Sequence, residues 1–129
     1  MQIVAHGIDL VDCRQIDRLI ERHGQRFLER IFTGIERAYS ESNKNRTERL
    51  AGRFAAKEEV LKLIGTGWRG KIACKDIEIA NNTMGQPLVT LTGEVKRIAG
   101  ELGIDQISVS ITHTSNFAIA SAVALARGR

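Results

Sequence analysis

The sequence is poor in cysteine and aromatics, with two Cys in 129 residues and aromatic side chains at 5% of positions. Each scarcity excludes something. Cys13 and Cys74 stand far apart and outside any Cys-x-x-Cys or Cys/His cluster. Neither a disulfide framework nor a zinc site is expected, and both read as ordinary thiols. With only Trp68, Tyr39 and four Phe, few platforms exist for base stacking, which lowers a nucleic-acid-binding reading. No stretch has the length and apolarity of a membrane span. The start, Met1-Gln2-Ile3-Val4-Ala5-His6-Gly7, lacks the basic opening and apolar run of a secretory leader, so a cytoplasmic location is the default expectation. What is present is a 43% hydrophobic chain, enough for one domain over 1–129 with a modest core. The net charge of +4 favours an anionic partner, whether nucleic acid, acidic protein or a phosphorylated cofactor.

The central stretch runs Arg53-Phe54-Ala55-Ala56-Lys57-Glu58-Glu59-Val60-Leu61-Lys62-Leu63-Ile64-Gly65-Thr66-Gly67. It reads as the end of a long helix from about Arg46 to Ile64, with Asn45 and Glu48 offering a cap at its start and Gly65 a left-handed stop at its end. On a helical wheel Leu50, Ala51, Phe54, Leu61 and Ile64 share one apolar sector, and Glu58 falls inside it. Glu59 points to the opposite, solvated side. A carboxylate on a core face is costly unless paired, protonated or bound to a metal, so Glu58 needs a partner.

The leading candidate is Asp9. Gln2 to Ala5 is a short β-branched run ending at Gly7, and Ile8-Asp9-Leu10-Val11-Asp12 alternates apolar and acidic residues, a first strand leading into a turn. Asp12, with Gln15 three positions on, has the spacing of a capping box and hence a structural job. A lone turn aspartate usually bonds local amides, but Asp9 lies between Ile8 and Leu10 where the chain enters the core.

The helix after Asp12 carries Ile16, Leu19, Ile20, Phe27 and Leu28 inward, while Arg14, Arg18 and Arg22 form a basic ridge on another face. The ridge reads either as a solvated face or as a docking surface for an acidic protein helix. Beyond a turn into a short helical piece near Thr33 to Glu36, Ser40 to Arg46 is polar and aperiodic and is expected as an exposed loop. Gly65-Thr66-Gly67 follows a helix rather than preceding one, so it is not a nucleotide-binding P-loop. Its glycines still let a ligand approach the backbone beside Lys57 and Lys62.

Two short strands are expected at Lys75 to Ala80 and at Pro87 to Leu91, the second starting at a sheet edge. A helix follows, capped by Thr92, carrying Val95, Ile98, Ala99 and Leu102, and closed by Gly103. Ile107-Ser108-Val109-Ser110-Ile111 alternates strictly, and Phe117 to Ala126 is almost wholly apolar, giving two strands joined by a polar turn. Alanines at 118, 120, 122, 124 and 126 would admit close approach of another subunit or of the chain's own helices. His113 sits at the tip of that hairpin, functional only if the tip meets Glu58 or the glycine turn.

Asp9 and Glu58 are two carboxylates in apolar surroundings with Lys62 nearby. Magnesium is held by one or two carboxylates, waters and substrate phosphates, so a phosphorylated substrate would complete such a site. With no activated Cys or Lys nucleophile in view, direct transfer to an incoming hydroxyl is the simpler chemistry. These residues also carry a resemblance. Gly7-Ile8-Asp9-Leu10-Val11, Arg53-Phe54-Ala55-Ala56-Lys57-Glu58, Gly65-Thr66-Gly67 and Ser110-Ile111-Thr112-His113-Thr114 resemble, in order and across nearly the whole chain, the elements of the small bacterial 4′-phosphopantetheinyl transferases, the holo-acyl-carrier-protein synthases. Gly85-Gln86-Pro87 stands where that family often has Gly-Lys-Pro.

The resemblance implies an α+β fold, a small antiparallel sheet packed with a long central helix, assembled as a homotrimer with intersubunit clefts. It implies transfer of phosphopantetheine from coenzyme A to a serine of an acyl carrier protein. Asp9 and Glu58 would be magnesium ligands, with Glu58, Lys62 and His113 the catalytic candidates. Arg53, Lys62, Gly65, Thr66, Gly67, His113 and Thr114 would contact coenzyme A, and Arg14, Arg18 and Arg22 would meet the carrier protein. Neither nucleic acid nor membrane is expected as a partner. The competing readings are another magnesium-dependent phosphate enzyme, such as a phosphodiesterase, and a basic nucleic-acid-binding module.

Overall fold

A computed structural model describes residues 1–42, 44–65 and 74–127. Strand β1 (Gln2–Asp12) leads into helices α1 (Cys13–His23), α2 (Gln25–Ile31), α3 (Gly34–Glu41) and α4 (Arg46–Leu63). A 3-10 turn over Cys74–Asp76 opens β2 (Ile77–Asn81) and β3 (Pro87–Leu91), followed by α5 (Gly93–Glu101), β4 (Gln106–His113) and β5 (Phe117–Ala126). The strands form an antiparallel sheet in the order β1-β5-β4 and a separate β2-β3 hairpin. The architecture is the expected α+β one, a small antiparallel sheet against a long helix.

Register decides what faces that helix. Asp9 lies opposite Ala120, and Ala120 opposite Ile111, so the three share a row of the sheet. The same face carries Gly7, Val11, Val109 and the alanines of β5, while Ile8, Leu10, Ile119 and Val123 face away. Ala118, Ala120, Ala122 and Ala124 are fully buried, and α4 lies across them. They serve the chain's own helix, not a second subunit: small side chains let α4 settle close to the sheet. The contact is tight enough that a Cβ on Gly52 would stand 2.7 Å from Ile111 Cγ2.

Helix α4 is covered on nearly every side, by the sheet, by α1 and α3, and by β2. Leu50 to Lys57 and Glu59 to Leu61 are buried without a break. Two-sided burial overturns the expectation for Glu59, which is 1% exposed rather than solvated. It also removes Lys57 from any ligand surface. Its Nζ pairs with Glu36 Oε1 at 2.5 Å and donates to the carbonyls of Ile31 at 2.8 Å and Cys74 at 3.1 Å, with both side chains at 0% exposure. The other Glu36 oxygen accepts from Ile79 N at 2.8 Å, while Oε1 also closes a capping box with Thr33 at the start of α3. One ion pair therefore ties α2, α3, α4 and β2 together.

Other boundaries move for local reasons. The helix expected after Asp12 breaks at Gly24, whose φ of 58° leaves the helical region. Asp12 caps α1 by accepting from Arg14 N at 2.9 Å, not through Gln15. Asn45 occupies the N-cap of α4 without a side-chain cap bond. The segment expected as a loop from Ser40 to Arg46 is shorter, because α3 extends to Glu41 with Ser40 buried and α4 starts at Arg46. The strand expected from Lys75 begins instead at Ile77.

Candidate active site

The alternation of β1 turns Asp9 toward the sheet face that α4 covers, and there it meets Glu58. Glu58 is half-buried. Loss of water, then the charge of Asp9 and a hydrogen bond to it, push the Glu58 carboxyl up to about 7. Asp9 Oδ2 is buried without a hydrogen-bond partner. Two adjoining carboxylates and an orphaned oxygen make a place where a cation relieves repulsion.

Lys62, one turn after Glu58 on the same helix, reaches back across this pair. Its Nζ lies 3.3 Å from Glu59 Oε2 and 3.6 Å from Asp9 Oδ1, and donates to the carbonyl of Ile8 at 3.4 Å. Partial loss of water opposes its charge, but the Glu59 and Asp9 carboxylates outweigh that and hold its pKa above the ordinary lysine value. Glu59 fits under β1 because Gly7 has no side chain; a Cβ there would collide with Glu59 Oε1. Gly65 follows with a φ of 77°, the left-handed stop expected of it. Thr66 and Gly67 lie outside the described residues.

Arg53, in the middle of α4, and His113 belong to a second cluster together with Glu48 near the start of that helix. His113 ends β4 rather than sitting at a hairpin tip, and its Nδ1 lies 2.9 Å from Glu48 Oε2. Arg53 is 4% exposed, stacked 4.1 Å above the Tyr39 ring, and donates to Asn81 Oδ1. Both line a small cavity of about 160 Å³ with Arg49, Gly85 and Pro87. Glu48 and Glu58 are separated by roughly 15 Å of helix at the α-helical rise. Within one chain the fold therefore joins Asp9, Glu58 and Lys62, and joins Arg53 with His113, but does not join the two sets. Thr114 caps the turn after β4, its Oγ1 accepting from Asn116 N and Phe117 N. Arg14, Arg18 and Arg22 are all exposed, Arg14 paired with Asp12 at 2.8 Å.

Sequence reasoning missed Glu59, Glu48, Tyr39 and Asn81. Glu48 and Glu59 lie on a helix read as having one wet side, and no local pattern shows that both sides are covered. Tyr39 carried a signal, being a lone tyrosine in a chain with few aromatics. A larger cavity of about 580 Å³ between β3, α5 and β4 contains none of these residues. Both cysteines are buried and free, and burial pushes the Cys74 thiol up to about 11, well away from a reactive thiolate.

Magnesium suits the donor set at Asp9 and Glu58. Both offer hard oxygens, one of them orphaned, and such an ion keeps waters and takes substrate phosphates for its remaining positions. No group of three or more His, Cys, Asp or Glu able to hold a metal occurs among the described residues, so the ion would depend on those other ligands.

Comparison with known proteins bears on the same span. A family model of the 4′-phosphopantetheinyl transferase superfamily matches residues 5–122. A holo-[acyl-carrier-protein] synthase of Solibacter usitatus is 46% identical over 121 residues, covering 94% of this chain and 97% of the relative. Among solved structures, the holo-[acyl-carrier-protein] synthase of Neisseria meningitidis superposes with a TM-score of 0.87 at 32% identity, over 96% of this chain and 99% of that one. The Helicobacter pylori synthase, solved in complex with coenzyme A, gives 0.82 at 30% identity over 94% and 100% of the two chains.

Proposed function

The chain belongs to the 4′-phosphopantetheinyl transferase superfamily, and we propose that the Asp9–Glu58 pair is the centre from which it acts as a holo-acyl-carrier-protein synthase. It transfers 4′-phosphopantetheine from coenzyme A to a serine of apo acyl carrier protein, releasing adenosine 3′,5′-bisphosphate. The observation that carries the site assignment is the convergence of Asp9, Glu58 and Lys62, from a strand and a helix far apart in sequence, on one partly buried spot.

Asp9 and Glu58 would hold magnesium, which would neutralise the pyrophosphate charge when bound. Lys62 adds a positive contact to the same phosphates. The serine oxygen forms a bond to the phosphorus carrying pantetheine, the bond from that phosphorus to the adenosine bisphosphate oxygen breaks, and the serine proton passes to Glu58 directly or through a water. No covalent enzyme intermediate is needed.

Arg53, His113, Thr114 and the turn Gly65-Thr66-Gly67 contact coenzyme A. The separation of His113, which pairs with Glu48, from Glu58 within one chain supports a homotrimer in which one subunit's pair faces another subunit's cluster. A face for that assembly exists: Ile8 and Leu10, 63% and 59% exposed, continue across Ile119 and Val123 on the outside of the sheet. The ridge of Arg14, Arg18 and Arg22 receives the acidic carrier protein, consistent with a net charge of +4. No helix among the described residues is long and apolar enough to cross a membrane, and a cytoplasmic location completes the proposal.

Mass spectrometry of apo acyl carrier protein incubated with the enzyme, coenzyme A and magnesium tests it. The carrier should gain the mass of phosphopantetheine, and Glu58→Gln or Asp9→Asn should abolish the gain while leaving the folded state intact. Full activity of both variants would rule out the metal assignment.

A further inference from the structure

We propose that Glu59 is a positioning residue which holds the Lys62 ammonium at the rim of the Asp9–Glu58 pair. The inference rests on the reading that Lys62 meets the phosphates of coenzyme A. Its basis is the placement of a carboxylate that a structural role does not explain. Glu59 is 1% exposed, a costly place for an anion unless it is paired, and its Oε2 faces the Lys62 ammonium. Strand β1 makes room for it by having glycine at position 7, where any side chain would displace it. What it gains in return is Lys62, 3.3 Å away and one turn on along α4.

Lys62 needs such a hold because its side chain is 54% exposed. A lysine with that freedom is spread over many rotamers, and ordering it weakens every contact it makes. Asp9 is its other anionic partner, at 3.6 Å, but Asp9 is also the residue assigned to the metal. Glu59 is not among the residues assigned to the metal, so it keeps Lys62 in place when Asp9 is engaged elsewhere.

The sign of the effect separates this role from simpler ones. If Glu59 acted only through its charge, removing an anion beside a phosphate site would tighten coenzyme A binding. If it were only structural, removing it would lower the melting temperature. Positioning predicts weaker binding with the fold unharmed, since glutamine has the same shape and relieves a buried charge.

The test is a double-mutant cycle on coenzyme A affinity, measured by calorimetry with magnesium present, for the parent, Glu59→Gln, Lys62→Met and the double variant, with thermal unfolding of each. Glu59→Gln should weaken binding about 3- to 10-fold when Lys62 is present and less than about 2-fold when it is methionine. Its melting temperature should be unchanged or higher, and KM for coenzyme A should rise more than kcat falls. Unchanged or tighter binding in Glu59→Gln would overturn the proposal, as would an equal loss in both backgrounds or a loss that tracks a fall in stability. If Lys62→Met alone leaves coenzyme A affinity intact, the role of Lys62 is wrong and this inference falls with it. Transfer to apo carrier protein by the parent enzyme reports separately on the reaction itself.

Discussion

Replacing Lys57 by methionine should be among the most damaging single changes to this fold, although Lys57 touches nothing in the reaction. The side chain is at 0% exposure, and removing its ammonium strands Glu36 Oε1, 2.5 Å away and equally buried. It also strands the carbonyls of Ile31 and Cys74, at 2.8 Å and 3.1 Å. Breaking one side of a buried ion pair costs roughly 3–5 kcal/mol, because the remaining charge is left uncompensated. Glu36 keeps two backbone donors, Thr33 N and Ile79 N, which places the expected cost toward the lower end, about 3 kcal/mol. In a chain of 129 residues that corresponds to a fall in melting temperature of roughly 10 °C.

Urea denaturation followed by circular dichroism is the assay, with the free-energy difference taken at constant slope. Transfer activity at low temperature should survive in proportion to the folded fraction, since Lys57 holds α4 in place but its side chain points away from Asp9 and Glu58. A loss below about 1 kcal/mol would refute the reasoning, for it would mean that water or rearrangement satisfies Glu36 without its partner. So would full stability combined with lost activity, which would move Lys57 from the scaffold into the chemistry.

Three further predictions concern the site and its surroundings. In metal-free protein the Glu58 carboxyl is raised from 4.5 to about 7, so its protonated form favours the fold. That stability is fully present below pH 4.5 and is lost as pH rises through 7. Discounted for a half-exposed group it amounts to about 1–2 kcal/mol. Melting curves with chelator should fall across this window, and magnesium should flatten them; identical profiles with and without magnesium would count against metal binding at this pair. Arg14→Glu should weaken use of the carrier protein about tenfold while changing coenzyme A affinity little, since reversing an exposed contact charge acts on the partner it steers; an equal loss for both substrates would remove the ridge from carrier docking. Leu10→Asp, on the outward face of the sheet, should shift the protein toward monomer in light scattering and reduce transfer by at least tenfold, because a charge in a buried apolar contact is costly. A monomeric parent protein would undo the prediction.

The sequence alone determined the elements whose signals are local. Strict alternation from Ile107 to Ile111, the turn chemistry around Gly85 and Pro87, and the left-handed stop at Gly65 each follow from backbone and side-chain preferences over a few residues. The same local logic marked Glu58 as an acid out of place and Asp9 as an acid without a job. Only the tertiary structure decided which groups meet. Glu59 was read as solvated because a helix is ordinarily wet on one side, and α4 is not: sheet, helices and hairpin surround it, so its periodicity carries little information about its faces. Glu36 and Lys57 lie on different helices, and His113 and Glu48 on a strand and a helix far apart in sequence. Pairings of that kind depend on how whole elements pack, which no window of sequence records. The chain wrote down which residues carry charge and where its elements begin; packing chose that Asp9 should face Glu58, and that Glu59 should be buried beside Lys62.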